Sequence, residues 1–313
     1  MKPLRRFCVV LALSMLSWGV AAAELTILTG GTAGVYYPVG LKVKDILERA
    51  IPGTNVQVLS TRGTVENLNL LQKGTGHLAL AQGDILSAAW EGNPEAGFPS
   101  SRTKIRLVAA AYPNYVHVVA RKDARITSLR DLAGKRVSVG ASRSGNELNA
   151  RALLGAAKLS YADLLHVEYL HYGESVDLLV KGALDAVIIS AGLHVSAVID
   201  ATRRAQVDLV PIEKPLVEAN PKMFFSTEIP ADTYPGQTRA IPTAALNNYF
   251  VTTSDAPEET IYRMTKAIFS NLDAVRAAHP ATREINLKDA LAVRPIQVHP
   301  GALRYFREVG VAH

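Results

Sequence analysis

Beyond position 8 the chain has no cysteine. Disulfides, Cys-ligated metals and cysteine nucleophiles are therefore excluded from everything after Cys8. Runs of like charge are also missing. The 34 Lys and Arg residues exceed the 28 Asp and Glu by only six, and they are spread along the chain. Nucleic-acid binding needs a clustered basic patch, so no nucleic-acid partner is expected. His171, His194, His279 and His299 are scattered without metal-ligand spacing, and neither a metal nor any other cofactor is assigned. The glycine-rich stretch Gly30 to Gly34 has no Gly-Lys-Ser/Thr for a P-loop. It also lacks the dinucleotide fingerprint with its later ribose-binding acid. Ser142-Arg143-Ser144-Gly145 has no glycine two residues ahead of Ser144, which a hydrolase elbow requires. No enzyme is expected.

Only one run is apolar enough to raise the question of a membrane, and it is short. Phe7 to Val20 follows Lys2, Arg5 and Arg6 and precedes Ala21-Ala22-Ala23, with small residues at −3 and −1 before Glu24. This is the pattern of a secretory leader cleaved near Ala23, too short for a permanent anchor. The expected location is periplasmic, and the mature chain is not itself membrane-spanning. Cys8 lies far ahead of the cleavage site, so a lipid-bearing cysteine at the mature terminus is not expected. Removing 23 residues leaves 290, enough for two domains, and loss of the three leader cations lowers the net charge from +6 to +3. A hydrophobic content of 48% suits a packed globule.

What is present is an alternation of short β-type runs with helical patterns, the signature of α/β architecture with mostly parallel sheets. Leu25 to Thr29 reads as a strand, and Val39, Val43, Ile46, Leu47 and Ala50 then recur at helical spacing until Pro52-Gly53. Strands at Asn55 to Leu59 and Leu78 to Gln82 lead into helices at Val65 to Gln72 and Asp84 to Trp90. Gly92 to Arg102 reads as a surface excursion. Ile105 to Tyr112 and Tyr115 to Arg121 are two extended segments parted by Pro113-Asn114. A second series follows, with strands at Arg136 to Gly140, Val167 to Leu170, Asp185 to Ser190 and Val207 to Val210. Thr243 to Thr253 returns as a strand, and one long helix then carries Ile261, Met264, Ile268, Leu272 and Val275 on its apolar face. The pattern implies two lobes, residues 24–115 with 250–313 and residues 116–249, with a ligand cleft between them.

Three strand-to-helix loops share one chemistry: Gly30 to Tyr37, Ser60 to Val65, and Ser142 to Glu147. The first turn of a helix has unpaired N–H groups and a partial positive charge, which suits a carboxylate or phosphate. Glycines let the backbone approach closely and hydroxyls add donors. Any one such loop is also ordinary capping; three in one chain, split between the lobes, point to a ligand.

Leu28 to Pro38 (Leu-Thr-Gly-Gly-Thr-Ala-Gly-Val-Tyr-Tyr-Pro) and Ser60 to Leu71 (Ser-Thr-Arg-Gly-Thr-Val-Glu-Asn-Leu-Asn-Leu-Leu) resemble the TAXI subfamily of solute receptors. These serve TRAP (tripartite ATP-independent periplasmic) transporters. Tyr112-Pro113 with Val116-His117-Val118-Val119, Asp131 to Gly140, Gly173-Glu174, Thr233 to Gln237, Ala278 to Pro280 and His299 to Tyr305 extend the resemblance over the mature chain. It implies a type II periplasmic-binding-protein fold that captures a small organic anion, such as glutamate, glutamine or a related carboxylate or dicarboxylate. Its partners would be integral membrane subunits driven by an ion gradient. Carried over by position, the ligand-binding residues would be Gly34, Val35, Tyr36, Thr61, Gly63, Thr64, Gln82, Tyr112 and His117. The second lobe would add Ser142, Arg143, Ser144, Gly145 and Asn146. Two departures stand out: relatives often carry Gly-Thr where this chain has Gly145-Asn146, and a small residue or proline where it has Arg143.

Several readings stay open on the sequence. Arg143 either meets a second ligand carboxylate or is a solvated arginine on the rim. Tyr36 and Tyr37 either contact ligand or pack, and His117 is either a ligand contact or a satisfied interior histidine. The rivals to a TRAP receptor are a binding subunit of an ABC importer or sensor and, more remotely, an exported hydrolase.

Overall fold

A computed structural model describes residues 23–312. The leader expectation rests on residues 1–22, which lie outside the described residues. Three strand–loop–helix units open the fold: β1 (Ala23–Leu28) with α1 (Tyr36–Ala50), β2 (Thr54–Leu59) with α2 (Thr64–Gln72), and β3 (Leu78–Gln82) with α3 (Gly83–Glu91). The side chains of β3 are buried on both faces, which is why Leu-Ala-Leu-Ala reads as an unbroken apolar run. After the 92–102 excursion, pinned to the core by buried Phe98, comes β4 (Ile105–Arg121). The second series is β5 (Arg136–Ser138), α4 (Gly145–Ala156), β6 (His166–Glu168), α5 (Tyr172–Val180), β7 (Ala186–Ala191), α6 (Ser196–Arg204), β8 (Val207–Val210), α7 (Lys214–Glu218) and β9 (Phe225–Ile229). The chain returns through β10 (Ile241–Thr253) and closes with α8 (Glu258–Ser270), α9 (Leu272–Arg276) and α10 (Pro300–Glu308).

The strands run in the order β2-β1-β3-β10-β4-β7-β5-β6, with β8 on β4 and β9 on β10. At one end β1 pairs in parallel with β2 and β3, and at the other β5 pairs in parallel with β6 and β7. Between them β10 and β4 run antiparallel to their neighbours and belong to both lobes. β4 is one continuous strand, although Pro113-Asn114 predicts a break. Pro113 sits opposite Asn247, and the register slips between Asn247 and Tyr249. A bulge tolerates a residue without an N–H.

A second difference lies after β10. The helix predicted to carry a stripe through Val275 is two helices, because Asn271 leaves helical geometry. Its side-chain amide donates to Ala267 O at 2.8 Å, capping the carbonyl that the next turn would have used. β9 and α7 went unpredicted.

Alternation along β7 splits the core. Val187 and Ile189 join the larger hydrophobic cluster, which also holds α1, α2, α8 and α10. Ala186 and Ile188 join a second cluster with α4 and Val116, Val118 and Val137. Successive strand residues face opposite sides, so one apolar layer runs from lobe to lobe beneath the shared strands.

A buried polar chain ties the crossing together. Asn248 donates through Nδ2 to Tyr112 O (2.8 Å) and Asn114 Oδ1 (2.7 Å), and its Oδ1 accepts from Tyr36 OH (2.6 Å). Asn114 in turn donates to Ser190 O at 3.1 Å. Residues from α1, β10, β4 and β7 are thus joined at the bulge. Asn248→Ala should destabilise the protein by about 2–4 kcal/mol in urea unfolding, because it orphans three buried groups at once. A loss below about 0.5 kcal/mol would show that the chain is not holding the crossing.

Candidate functional site

The parallel units at both ends of the sheet deliver their helices to one place. A cavity of about 560 Å³, open space at its mouth included, lies between the lobes. The first turns of four helices and the residue before a fifth line it: Val35 and Tyr36 at α1, Gly63 and Thr64 at α2, Gln82 ahead of α3, Ser144 to Asn146 at α4, and His171 and Tyr172 at α5. No side chain caps α1, α2 or α3. Thr61 Oγ1 accepts from Gly63 N–H (3.0 Å) and Thr64 Oγ1 from Gln82 N–H (3.2 Å), and the positive dipole ends of the three helices point at the cavity. Gly30, Gly31, Gly34, Tyr112, Asn114, Ala141, Ser190 and Ala191 complete the inner wall.

Arg62 is the one residue of the lining that carries a permanent charge, and it is exposed and paired to Glu66 at 3.1 Å. No Asp or Glu lines the cavity. Burial pushes the phenols of Tyr36, Tyr112 and Tyr172 well above the usual tyrosine range, so all three stay neutral. Tyr36 and Tyr112 meet edge to face with ring centroids 6.4 Å apart. The wall thus presents helix dipoles and hydroxyls, with its one permanent charge on the exposed Arg62.

The lobes touch across the cavity. Gln82 Nε2 donates to Ser190 Oγ (3.3 Å), Asn149 Nδ2 to Asp84 Oδ2 (2.9 Å) and Ser196 Oγ to Ala33 O (2.9 Å). Gly145 explains how α4 comes so near. A Cβ there would lie 1.9 Å from Gln82 Oε1, so any larger residue would have to push the buried Gln82 amide aside.

Residues 27–310 match the NMT1-like family. The chain belongs to the NMT1-like family. Solved structures share its fold at low identity. PhnD1 from Prochlorococcus marinus (MIT 9301), in complex with methylphosphonate, is 12% identical over 92% of this chain and 97% of its own, with a TM-score of 0.57. A protein from Bordetella bronchiseptica RB50 is 17% identical over 93% and 81%, with a TM-score of 0.52. An ancestral arginine-binding protein bound to arginine is 15% identical over 83% and 98%, with a TM-score of 0.51. These likenesses establish the two-lobed fold expected from the sequence.

In this NMT1-like chain the sequence-predicted residues divide. Gly34, Val35, Tyr36, Gly63, Thr64, Gln82, Tyr112, Ser144, Gly145 and Asn146 line the cavity; Thr61, His117, Ser142 and Arg143 do not. Thr61 is buried behind its loop, with its hydroxyl 2.9 Å from Thr29 O and 2.7 Å from Asn67 Oδ1. His117 is a satisfied interior histidine. Its Nδ1–H donates to Ile189 O (3.1 Å), its Nε2 accepts from Tyr234 OH (2.7 Å), and burial pushes its pKa down to about 4. Ser142 is exposed. Arg143, exposed at φ 56°, faces an outer hollow with Pro94, Gly97, Glu147 and Arg151. Asn146 reaches the cavity, but its side chain is consumed by Val139 O (2.7 Å), Ile188 O (2.9 Å) and the Ser190 N–H. Asn114, Ala141, His171, Tyr172, Ser190 and Ala191 also line the cavity and are not among the residues expected from the sequence. For His171 the available signal was a further strand-to-helix junction.

The Asp84–Asn149 contact leaves one oxygen of each side chain unpaired. Asp84 Oδ1 and Asn149 Oδ1 are both buried acceptors without a partner. A proton on the carboxyl supplies the donor that a head-to-head pair requires, and burial pushes the Asp84 pKa up to about 7. The folded state therefore holds this proton between about pH 4 and 7 while the unfolded state does not, so this pair loses stability as pH rises through that window. Asp84→Asn mimics the protonated form. Relative to the parent, its stability should be equal near pH 4 and higher by on the order of 2 kcal/mol at pH 8, read by urea unfolding at both values. A variant less stable than the parent at pH 8 would refute the pairing.

Proposed function

We propose that this chain is a periplasmic solute receptor that captures a small organic anion in the inter-lobe cavity and delivers it to membrane subunits of a transporter. The observation that carries the reading is the convergence of five helix N-termini on a cavity without an acidic side chain. Membership of the NMT1-like family and the periplasmic-binding-protein fold support it. Among the described residues no helix is long and apolar enough to cross a membrane, and no cluster of His, Asp and Glu could hold a metal. Binding rather than turnover is the activity in this reading, in keeping with the solute-binding fold.

The lobes divide near 115/116 and 249/250 in this reading, and hinge motion along β4 and β10 opens and closes the cavity. Ligand contacts from both lobes favour the closed state by a few kcal/mol, enough to switch the population. Val-Tyr-Tyr-Pro at residues 35–38 and Thr-Tyr-Pro-Gly at 233–236 support TRAP subunits of the TAXI type as the partner. An ABC importer would use the same lobes and cavity. Uptake by the reconstituted system that collapses with the ion gradient, and persists without ATP, supports TRAP; strict ATP dependence reverses that choice.

A thermal-shift screen of carboxylates, sulfonates and phosphonates tests the receptor itself. At least one small anion should raise the melting temperature by several degrees; no shift with any of them rejects the reading. For the ligand that emerges, Gly145→Ala should weaken binding roughly tenfold or more, since the new methyl meets Gln82 on closure. Arg143→Ala should leave affinity within about twofold for monoanions and dianions alike, because an exposed cation outside the cavity is screened by solvent. A selective loss for dicarboxylates in Arg143→Ala would return that side chain to the site.

A further inference from the structure

Two atoms of the cavity wall are buried without any hydrogen-bond partner: Gln82 Oε1 and the Tyr112 hydroxyl. Both residues are almost wholly inaccessible, at 3% and 1% exposure, and both line the cavity. Buried polar atoms without partners are rare in folded proteins and costly. The neighbouring groups are already spoken for. Tyr36 OH donates to Asn248, Tyr172 OH to Ser190 O, and Gln82 Nε2 to Ser190 Oγ. No protein group pairs with the two orphans, and a ligand that displaces cavity water supplies the partners.

Their chemistry differs. An amide oxygen only accepts, whereas a neutral phenol has a hydrogen to give. We propose that the pair selects a hydroxylated organic monoanion, its head group held at the helix N-termini and its hydroxyl donating to Gln82 Oε1 while accepting from Tyr112 OH. The inference rests on the receptor reading above and names the ligand class for that same cavity.

Other groups at the hydroxyl position fit less well. A keto oxygen accepts from Tyr112 but leaves Gln82 Oε1 unpaired. An ammonium brings a full positive charge into a lining whose only permanent charge is the positive Arg62, and burying a charge without a counter-ion is expensive. Cation–π capture is unfavourable too, because the Tyr36 and Tyr112 rings pack against each other at 71° rather than opening their faces to one cation. A second carboxylate would find one permanent cation in the lining, Arg62, which Glu66 already holds at the exposed rim. The cavity thus discriminates against amino acids and dicarboxylates, including the glutamate and glutamine that the sequence resemblance implies.

Matched sets that differ at one group test this by calorimetry. One set is lactate, alanine, pyruvate and propionate; another is 2-hydroxybutyrate, 2-aminobutyrate, 2-oxobutyrate and butyrate. A third, 2-hydroxyethanesulfonate, taurine and ethanesulfonate, distinguishes a sulfonate head from a carboxylate. The hydroxyl member should bind at least tenfold tighter than its amino and deoxy partners in the set whose size fits. Tyr112→Phe keeps the ring and removes the orphan hydroxyl, so it should cut the hydroxyl-over-deoxy preference to within about threefold without lowering the melting temperature. Gln82→Glu supplies the missing acid and should shift preference toward the amino member. An amino member that binds as well as the hydroxyl member overturns this proposal and leaves the receptor reading intact. So does a preference that survives Tyr112→Phe. If these sets and the wider anion screen all fail to bind, the receptor reading falls and the proposal with it.

Discussion

A backbone N–H withdrawn from water must give its hydrogen to something, and this requirement organises the molecule. Parallel strand–helix units start their helices at the carboxyl ends of the strands. Two such arrays face each other here, β2-β1-β3 and β6-β5-β7, so their helix N-termini meet head on. In α4 the Ser144 hydroxyl accepts from Glu147 N–H at 3.1 Å. In α1, α2 and α3 no side chain does the same. In the proposed receptor an anion in the cavity would pair with these helix ends and be stabilised by their summed dipoles. Formal charge is kept at the rim, where Arg62 stands. The wall is consequently selective by hydrogen-bond pattern rather than by charge count.

The second constraint, in the proposed receptor, is that both halves would move without losing their shape. β4 and β10 would then run through both lobes, and the bulge at Asn247/Tyr249 would give them a place to bend. Asn248 stiffens that place on one side by gripping Tyr112 O, Asn114 and Tyr36. Tyr36 and Tyr112 are themselves cavity residues, so the cavity wall and the bulge share atoms. The lobes meet through the Gln82–Ser190, Asn149–Asp84, Ser196–Ala33 and Asn114–Ser190 hydrogen bonds and the Gly145 contact, besides the Asn248 bonds, a set that a ligand bridging both walls would tip in the proposed receptor.

The fold was legible because strand and helix periods change cleanly. Leu78 to Gln82 and Val207 to Val210 were read to the residue, since each is a short apolar run bounded by turn residues. β4 was misread at Pro113 because a single sequence does not show that the register slips there. The helix after Pro257 was read through Asn271 because periodicity ignores a side chain that caps its own turn. Within the site, the loops were readable from Gly, Ser and Thr before helices, which explains why ten predicted residues line the cavity. Thr61, His117, Ser142 and Arg143 do not, for a common reason. Position in a loop or strand does not reveal which way a side chain points: His117 turns to Ile189 and Tyr234, and Arg143 turns outward. Asn114 and Ser190 were missed because their roles depend on strands brought together from distant parts of the chain.

Amide hydrogen exchange with and without the tightest-binding small anion tests the central claim directly. The account predicts slowed exchange together at residues 34–37, 63–65 and 145–147, the first turns of helices from both lobes. Protection confined to one lobe, or appearing at 94–99 and 148–151 while those turns exchange unchanged, would contradict it.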